Sequence, residues 1–229
     1  MTLKIDSIEA FYGPVQALHG ISLDVHPGEV LAVLGRNGMG KTTLVHTIAG
    51  LLHPSAGQIT LDGTRIDGRS PEQVLRAGVA MMPQGHRVFP SLTVAENIAV
   101  ATRPGDWTLD EVVDRLPRLG ERLKQYARTL SGGEQQMLTM GRALVMNAPF
   151  LLLDEPVEGL APSIAQRFAE IIQELRTRGT GVLLVEQRLR FALELSDRVA
   201  VMSRGTEVFL GSPDELRSDE TIRNTYLSL

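Results

Sequence analysis

A glycine-rich segment near the start of the 229-residue chain, Gly35-Arg-Asn-Gly-Met-Gly-Lys-Thr42, fits the pattern G-x-x-x-x-G-K-[ST]. It follows Glu29 to Leu34, a nearly continuous apolar run that is typical of a buried strand. It precedes Leu44, Ile48 and Leu51, which have the spacing of one helix face. A buried strand, a glycine loop and a helix in this order predict an α/β fold built on a parallel sheet.

This segment has the chemistry of a phosphate-binding loop. Its glycines let successive backbone N–H groups converge on phosphate oxygens, and the helix N-terminus adds partial positive charge. Lys41 places a charge near the β and γ phosphates of a nucleotide, and Thr42 can ligate Mg²⁺. A turn that only links strand to helix does not need the full pattern, so we expect ATP binding. The predicted nucleotide-binding residues are Gly35, Arg36, Asn37, Gly38, Met39, Gly40, Lys41, Thr42 and Thr43.

The sequence Phe150-Leu-Leu-Leu-Asp154-Glu155 is an apolar strand that ends in two carboxylates. Asp154 can hold magnesium through water, and Glu155 can reach the attacking water as a general base. A buried strand that ends in Asp-Glu is common for structural reasons, but the phosphate loop favours the catalytic interpretation. Hydrolysis, rather than phosphoryl transfer to a substrate, follows if Glu155 polarises water.

Strand and helix patterns divide the rest of the chain. Leu3 to Glu9 and Ile21 to Val25 alternate apolar and polar residues, so the chain opens with β structure. Further strands are predicted at Gln58 to Leu61, Val79 to Met82, Phe150 to Asp154, Val182 to Glu186, Val199 to Ser203 and Glu207 to Leu210. Helical spacing dominates between Thr93 and Asn147. We predict a single domain over residues 1–229, with a core of 1–83 and 150–229 and a helical lobe of about 84–149.

Charge and composition exclude several classes of protein. Lys and Arg total 23 against 27 Asp and Glu, a net charge of −4 without a basic cluster, which argues against a nucleic-acid partner. The absence of cysteine excludes disulfides and thiolate metal sites. The longest apolar stretches fall far short of the roughly 20 residues that cross a bilayer. The N-terminus does not have the pattern of a secretory signal, so we expect a cytoplasmic protein.

The segment Leu130-Ser-Gly-Gly-Glu-Gln-Gln136, placed before a helix, is the pattern that separates ABC-transporter ATPases from other phosphate-loop proteins. The chain resembles this family from end to end. Ser131, Gly132 and Gly133 can form a second anion site at a helix N-terminus, although a helix cap is the better explanation of this segment taken alone. The resemblance implies the ABC ATPase fold, with a RecA-like parallel sheet core, an N-terminal antiparallel β portion and an inserted helical lobe.

The resemblance also implies how the site is used. In the family two ATPase subunits pack head to tail, so that Ser131 to Gly133 of one closes over the γ-phosphate held by the other. Tyr12 is similar to the aromatic residue that stacks on adenine. Gln84 is similar to the glutamine that contacts magnesium and water and senses the membrane partner. Gly85 to Asn97 matches part of the groove for the transporter's coupling helix, although a surface loop capping a helix at Thr93 fits the same residues.

Three segments are similar to the import ATPases for hydrophobic amino acids: Arg36 to Lys41, Asp154 to Pro162 and Val185 to Gln187. This likeness implies an importer of branched-chain or other hydrophobic amino acids, with urea or short amides as the nearest alternative. It implies two integral membrane permeases, a second ATPase subunit that is this chain or a paralogue, and indirectly a periplasmic solute-binding protein. The chain would be peripheral on the cytoplasmic face of the inner membrane.

The sequence departs from the family pattern at three positions. Gln187 replaces the usual switch histidine and can donate a neutral hydrogen bond to the γ-phosphate, but it cannot carry a proton. Val157 stands where a hydroxyl residue is more usual, and Ala161 where many relatives have aspartate. We therefore expect catalysis to depend heavily on Glu155, and a heterodimer whose other subunit keeps the histidine would suit these changes.

Three other functions fit the sequence less well. ABC ATPases of translation or DNA repair usually carry two ATPase units or long coiled coils, and neither pattern is present here. A small-molecule kinase with the same phosphate loop gives no role to Leu130 to Gln136. Exporters more often fuse the ATPase to membrane helices.

Overall fold

The computed structural model describes residues 1–227, and its framework is a pair of β-sheets. The larger sheet contains, in spatial order, β10 (Thr206–Gly211), β9 (Arg198–Ser203), β3 (Val30–Leu34), β8 (Gly181–Glu186), β7 (Phe150–Asp154) and β6 (Val79–Met82). Its neighbours pair in parallel except β10, which is antiparallel to β9 at one edge. The central strands β3, β7 and β8 are buried throughout, as a parallel sheet covered on both faces requires.

The register of these three central strands brings their carboxyl ends to one edge of the sheet. Leu34 of β3 lies opposite Glu186 of β8, and Val185 of β8 lies opposite Asp154 of β7. The three loops that follow these strands therefore leave the sheet side by side.

The smaller sheet is antiparallel. In spatial order it contains β2 (Val15–Val25), β1 (Leu3–Tyr12), β4 (Ala56–Leu61) and β5 (Thr64–Arg65). Strands β1 and β2 are longer than predicted, because three register shifts between them interrupt the alternation on which the prediction depended. The two-residue strand β5 is too short to leave a pattern in the sequence.

The helical elements between β6 and β7 lie in the segment 84–149, for which a helical lobe is predicted. This segment contains α3 (Val94–Ala99), α4 (Leu109–Arg115), α5 (Pro117–Gly120), a 3₁₀ turn (Ala127–Thr129) and α6 (Gly132–Leu144). The other helical elements are α1 (Lys41–Ile48), α2 (Pro71–Ala77), α7 (Pro162–Thr177), α8 (Leu189–Leu195), α9 (Pro213–Ser218), α10 (Glu220–Ile222) and a π-helical turn (Arg223–Leu227). No helix within residues 1–227 combines the length and the apolarity needed to cross a membrane.

Buried apolar side chains of the lobe and the large sheet form one continuous cluster, which we call the lobe–sheet cluster. It includes Val94, Ile98 and Leu138 from the lobe and Leu151 and Leu153 from β7. The lobe therefore packs directly against the strand that ends in Asp154.

Candidate nucleotide-binding site

A cavity of about 460 Å³ opens at the carboxyl edge of β3. The predicted phosphate loop and the first turn of α1 contribute Asn37, Gly38, Gly40, Lys41, Thr42 and Thr43 to its lining. Gln84 and Glu155 also line the cavity, so residues of three separate predicted motifs meet there.

The loop is held in shape by contacts within itself and with the turn between β9 and β10. Lys41, only 4% exposed, donates from Nζ to the carbonyl oxygens of Gly35 at 2.8 Å and Arg36 at 3.1 Å. The backbone carbonyl of Met39 accepts from the N–H of Gly205 at 3.0 Å. The three predicted residues that are not in the cavity lining, Gly35, Arg36 and Met39, thus take part in the contacts that shape the loop.

Gly40, which directly precedes α1, must be a glycine. Its φ is 97°, in the left-handed region, and a Cβ there would lie 2.8 Å from the carbonyl oxygen of Ala17. No side chain within residues 1–227 caps the N-terminus of α1. The first N–H groups of this helix therefore remain available to an anion.

Asp154 and Glu155 bring two carboxyl groups to the loop. Thr42 Oγ1 donates to Asp154 Oδ1 at 3.4 Å, and Lys41 Nζ lies 3.5 Å from Glu155 Oε1. Glu155 has a φ of 50°, a conformation that non-glycine residues adopt rarely and that is concentrated at functional sites. The Glu155 side chain is only 4% exposed. A buried carboxylate and a buried ammonium group are thus paired at the cavity.

Asp154 lies in a strongly desolvated environment. Burial raises the pKa of its carboxyl to about 6, while the hydrogen bond from Thr42 opposes the rise and the Glu155 charge adds to it. Within residues 1–227, Asp154 Oδ2 is buried without a hydrogen-bond partner. A buried carboxylate oxygen is destabilising unless a cation or a donor faces it. This environment fits a Mg²⁺ ion held by Asp154 and Thr42.

The described part of the chain contains no group of three or more His, Cys, Asp or Glu that could hold a metal ion by itself. Mg²⁺ commonly keeps several waters and takes phosphate oxygens as further ligands. A magnesium site at Asp154 would therefore be completed by the phosphates of a nucleotide.

Two glutamine side chains bind Glu155. Gln187 donates from Nε2 to Glu155 Oε1 at 2.7 Å, and Gln84 donates from Nε2 to Glu155 Oε2 at 3.0 Å. Gln84 also donates to Glu158 Oε2 at 3.1 Å. The structure thus brings the three predicted catalytic residues, Glu155, Gln84 and Gln187, into direct contact.

Ser131, Gly132 and Gly133 do not line this cavity. Ser131 is the N-cap of α6: its Oγ accepts from the N–H of Glu134 at 3.4 Å, and Glu134 Oε2 accepts from the N–H of Ser131 at 2.9 Å. Within one chain this segment is therefore a helix cap, and its contact with a nucleotide stays a prediction.

Tyr12 is also not in the cavity lining. Its side chain is half exposed, and its hydroxyl lies 3.1 Å from His46 Nδ1 on α1. Its stacking on adenine stays a prediction.

Sequence reasoning missed His19, Arg204, Glu158 and Glu186. His19 and Arg204 line the cavity from β2 and from the turn after β9. Neither belongs to a motif, and their positions depend on the tertiary fold. Glu186 left a usable signal, because it is an acidic residue at the end of a strand that is otherwise apolar.

Comparisons with known proteins place this geometry in context. A family model described as ABC transporter matches residues 18–158. The high-affinity branched-chain amino acid transport ATP-binding protein BraG of Pseudomonas aeruginosa is 42% identical over 98% of this chain and 99% of that protein. A probable branched-chain amino acid transport ATP-binding protein, LivF of Archaeoglobus fulgidus, is 37% identical over 99% of both chains.

Solved structures show the same fold. A nucleotide-free ATP-binding cassette from an ABC transporter has a TM-score of 0.85 at 27% identity, over 97% of each chain. The ADP conformation of another such cassette has a TM-score of 0.81 at 27% identity, over 98% of each chain. The predicted fold class is confirmed.

Proposed function

The chain belongs to the ABC transporter family, and we propose that it is the ATP-hydrolysing subunit of an importer for branched-chain or other hydrophobic amino acids. Binding and hydrolysis of ATP are the activity of its family. The solute class rests on BraG and LivF, which are similar over almost their full length and are named for branched-chain amino acid transport.

The observation that carries the catalytic part of this proposal is the contact between the phosphate loop and Glu155. Lys41 Nζ lies 3.5 Å from Glu155 Oε1, and both side chains are buried at the cavity. A cation for phosphate oxygens and a carboxylate for water are thus held together beside free helix N–H groups.

We assign Glu155 as the general base. It would accept a proton from water as the water oxygen bonds to the γ-phosphorus and the bond from that phosphorus to the bridging oxygen breaks, releasing ADP. Gln84 and Gln187 hold one carboxylate oxygen each, which fixes the direction of the base. Lys41 would exchange its contacts with Gly35, Arg36 and Glu155 for contacts with the β and γ phosphates.

Thr42, Gln84 and Asp154 would hold Mg²⁺ at this site. The unpartnered, buried Oδ2 of Asp154 supports this assignment. When bound, the cation neutralises charge on the β and γ phosphates.

A second ATPase subunit, either a copy of this chain or a paralogue, would complete the site. Ser131, Gly132 and Gly133 of one subunit would close over the nucleotide held by the other, and Tyr12 would stack on adenine. Two integral membrane permeases would bind the resulting dimer at the cytoplasmic face of the membrane. A periplasmic solute-binding protein would deliver the solute to them.

Uptake by the native host tests this function. A strain that lacks the chain would receive the wild-type chain or Glu155→Gln, and uptake of labelled leucine, isoleucine and valine would be measured. We expect uptake with the wild type only. Restored uptake of labelled urea, with no change in amino acid uptake, would show that the importer carries small amides instead. No change for either solute would contradict the importer function.

A further inference from the structure

Glu186 is a buried carboxylate that the proposed mechanism does not use. It ends β8, and its side chain is 2% exposed. Its Oε1 accepts from the N–H of Val157 at 3.4 Å, and its Oε2 accepts from the N–H groups of Gln187 at 3.1 Å and Arg188 at 3.3 Å. One side chain thus binds the backbone of two loops, one leaving β7 and the other leaving β8.

These two loops carry the proposed general base and one of the side chains that hold it. Glu155 lies two positions before Val157, and Gln187 is itself one of the donors to Glu186. The side chains of Glu155 and Gln187 meet at 2.7 Å. Because a displacement of about 1 Å can slow a catalysed step about a hundredfold, the relative position of the two loops matters.

We infer that Glu186 is a positioning residue for ATP hydrolysis, which joins the loop after Glu155 to the loop of Gln187 through its two carboxylate oxygens. This inference rests on the proposed roles of Glu155 and Gln187. Glu186 itself is not in the lining of the nucleotide cavity.

The ionised form of the Glu186 carboxyl reduces folding stability. Burial raises the pKa of Glu186 to about 7; the three backbone donors oppose the rise, and the charge of Glu155 adds to it. A carboxyl whose folded pKa exceeds its unfolded value of 4.5 contributes less to folding as the pH rises through about 7. The ionised side chain is therefore destabilising near pH 8. An apolar residue would avoid that loss but could not accept hydrogen bonds from both loops.

Glu186→Gln tests the inference directly. The amide keeps the size of the side chain and one acceptor oxygen, but it presents an NH₂ group to the other loop. We expect kcat for ATP hydrolysis to fall about ten- to a hundredfold, as for a small misplacement of a catalytic group. ATP affinity should be unchanged.

Glu29→Gln is the matched control. Glu29 is also a buried carboxylate next to a sheet strand: its Oε2 accepts from the N–H of His26 at 2.7 Å and its Oε1 pairs with Arg198 at 3.1 Å. It precedes β3, at the end of the sheet away from the cavity. This variant should lower Tm and leave kcat unchanged.

Two results would overturn the inference: an unchanged kcat in Glu186→Gln, or a loss of kcat that comes with equal losses of ATP affinity and Tm. If Glu186→Gln does not fold, Glu186→Asp replaces it as the test, because the shorter side chain cannot reach both loops. Its kcat should again fall while its ATP affinity is kept. An unchanged kcat in Glu186→Asp would overturn the inference. Glu155→Gln is measured alongside. No loss there contradicts the proposed function, whereas a loss in Glu155→Gln without one in Glu186→Gln contradicts only the role of Glu186.

Discussion

The N-termini of α1 and α6 both lie in glycine-rich segments, which precede α1 and form the first turn of α6, but their unpaired backbone groups are treated differently. At α1 no side chain of the described residues caps the helix, and Lys41 donates to the carbonyl groups of Gly35 and Arg36 in the preceding loop. At α6, Ser131 and Glu134 form a capping box, and Arg122 Nε lies 2.6 Å from Glu134 Oε1. The first helix start is open to an anion, while the second has its own side chains as partners.

The surroundings of the two helix starts differ as well. Next to the start of α1, the parallel sheet places Asp154 and Glu155. Thr42 donates to Asp154, and Gln84 and Gln187 donate to Glu155. Around Ser131 the contacts are those of an ordinary helix cap. A glycine-rich helix start therefore marks a nucleotide site only where side chains from other elements complete it. In the proposed dimer, the second subunit would supply that completion for α6.

The largest effect should come from the general base at the assembled site. Glu155→Gln should reduce ATP turnover about 10² to 10⁴-fold, the range for loss of general-base catalysis, while ATP binding is kept. Phosphate release and binding of a fluorescent nucleotide measure the two quantities. Glu158→Gln is the control, because Glu158 shares the contact to Gln84 but is not bonded to Gln187. Equal losses in the two variants would contradict the base role.

Lys41→Ala tests the phosphate-binding half of the same site. Charge-assisted hydrogen bonds contribute up to about 3 kcal/mol each, so ATP affinity should fall about a hundredfold. Isothermal titration would measure it, and Lys124→Ala, which removes an exposed lysine of the lobe, should leave it unchanged. Unchanged affinity in Lys41→Ala would mean that this lysine only shapes the loop.

The buried carboxyl of Asp154 should also make the folding stability of the chain depend on pH. The pKa of Asp154 is about 6 in the folded chain and 3.8 in the reference state, so its contribution to folding falls as the pH rises through about 6. The free energy of unfolding of Asp154→Asn, relative to that of the wild type, should therefore increase by about 2 kcal/mol between about pH 4 and pH 7. Thermal unfolding of both proteins across that range measures this difference, and parallel curves would contradict it.

The smallest effect should come from the capped helix. Ser131→Ala should lower stability by about 1 kcal/mol through loss of the cap, with no change in the ATP affinity of the single chain. Ser212→Ala is the control, because Ser212 forms the same capping box with Glu215 at α9. Only Ser131→Ala should weaken ATP-dependent dimerisation, measured by light scattering in the Glu155→Gln background. Equal dimerisation in both variants would remove Ser131 from the proposed interface.

Much of the fold was predictable, because continuous apolar runs and glycine punctuation are local signals. Val79–Met82 and Phe150–Asp154 have the predicted bounds, and α1 follows the phosphate loop as expected. The bounds of β1 and β2 were harder to predict, since β-bulges shift the apolar face within a strand.

The candidate site was only partly predictable. Motifs identified Lys41, Asp154 and Glu155, but the contact of Glu186 with Val157 depends on the parallel register of β7 and β8. Pairing between strands that are distant in sequence leaves no local pattern. His19 and Arg204 escaped detection for the same reason.

The lobe–sheet cluster constrains how the helical lobe can respond to the nucleotide. Val94 and Ile98 share one packed interior with Leu151 and Leu153, so a gradual hinge would expose apolar surface at roughly 25 cal/mol for each Å². Packed interiors exchange one arrangement for another and do not deform continuously. Displacement of the lobe should therefore occur as a discrete step with a threshold, and a membrane partner in the proposed importer would receive that movement completely or not at all.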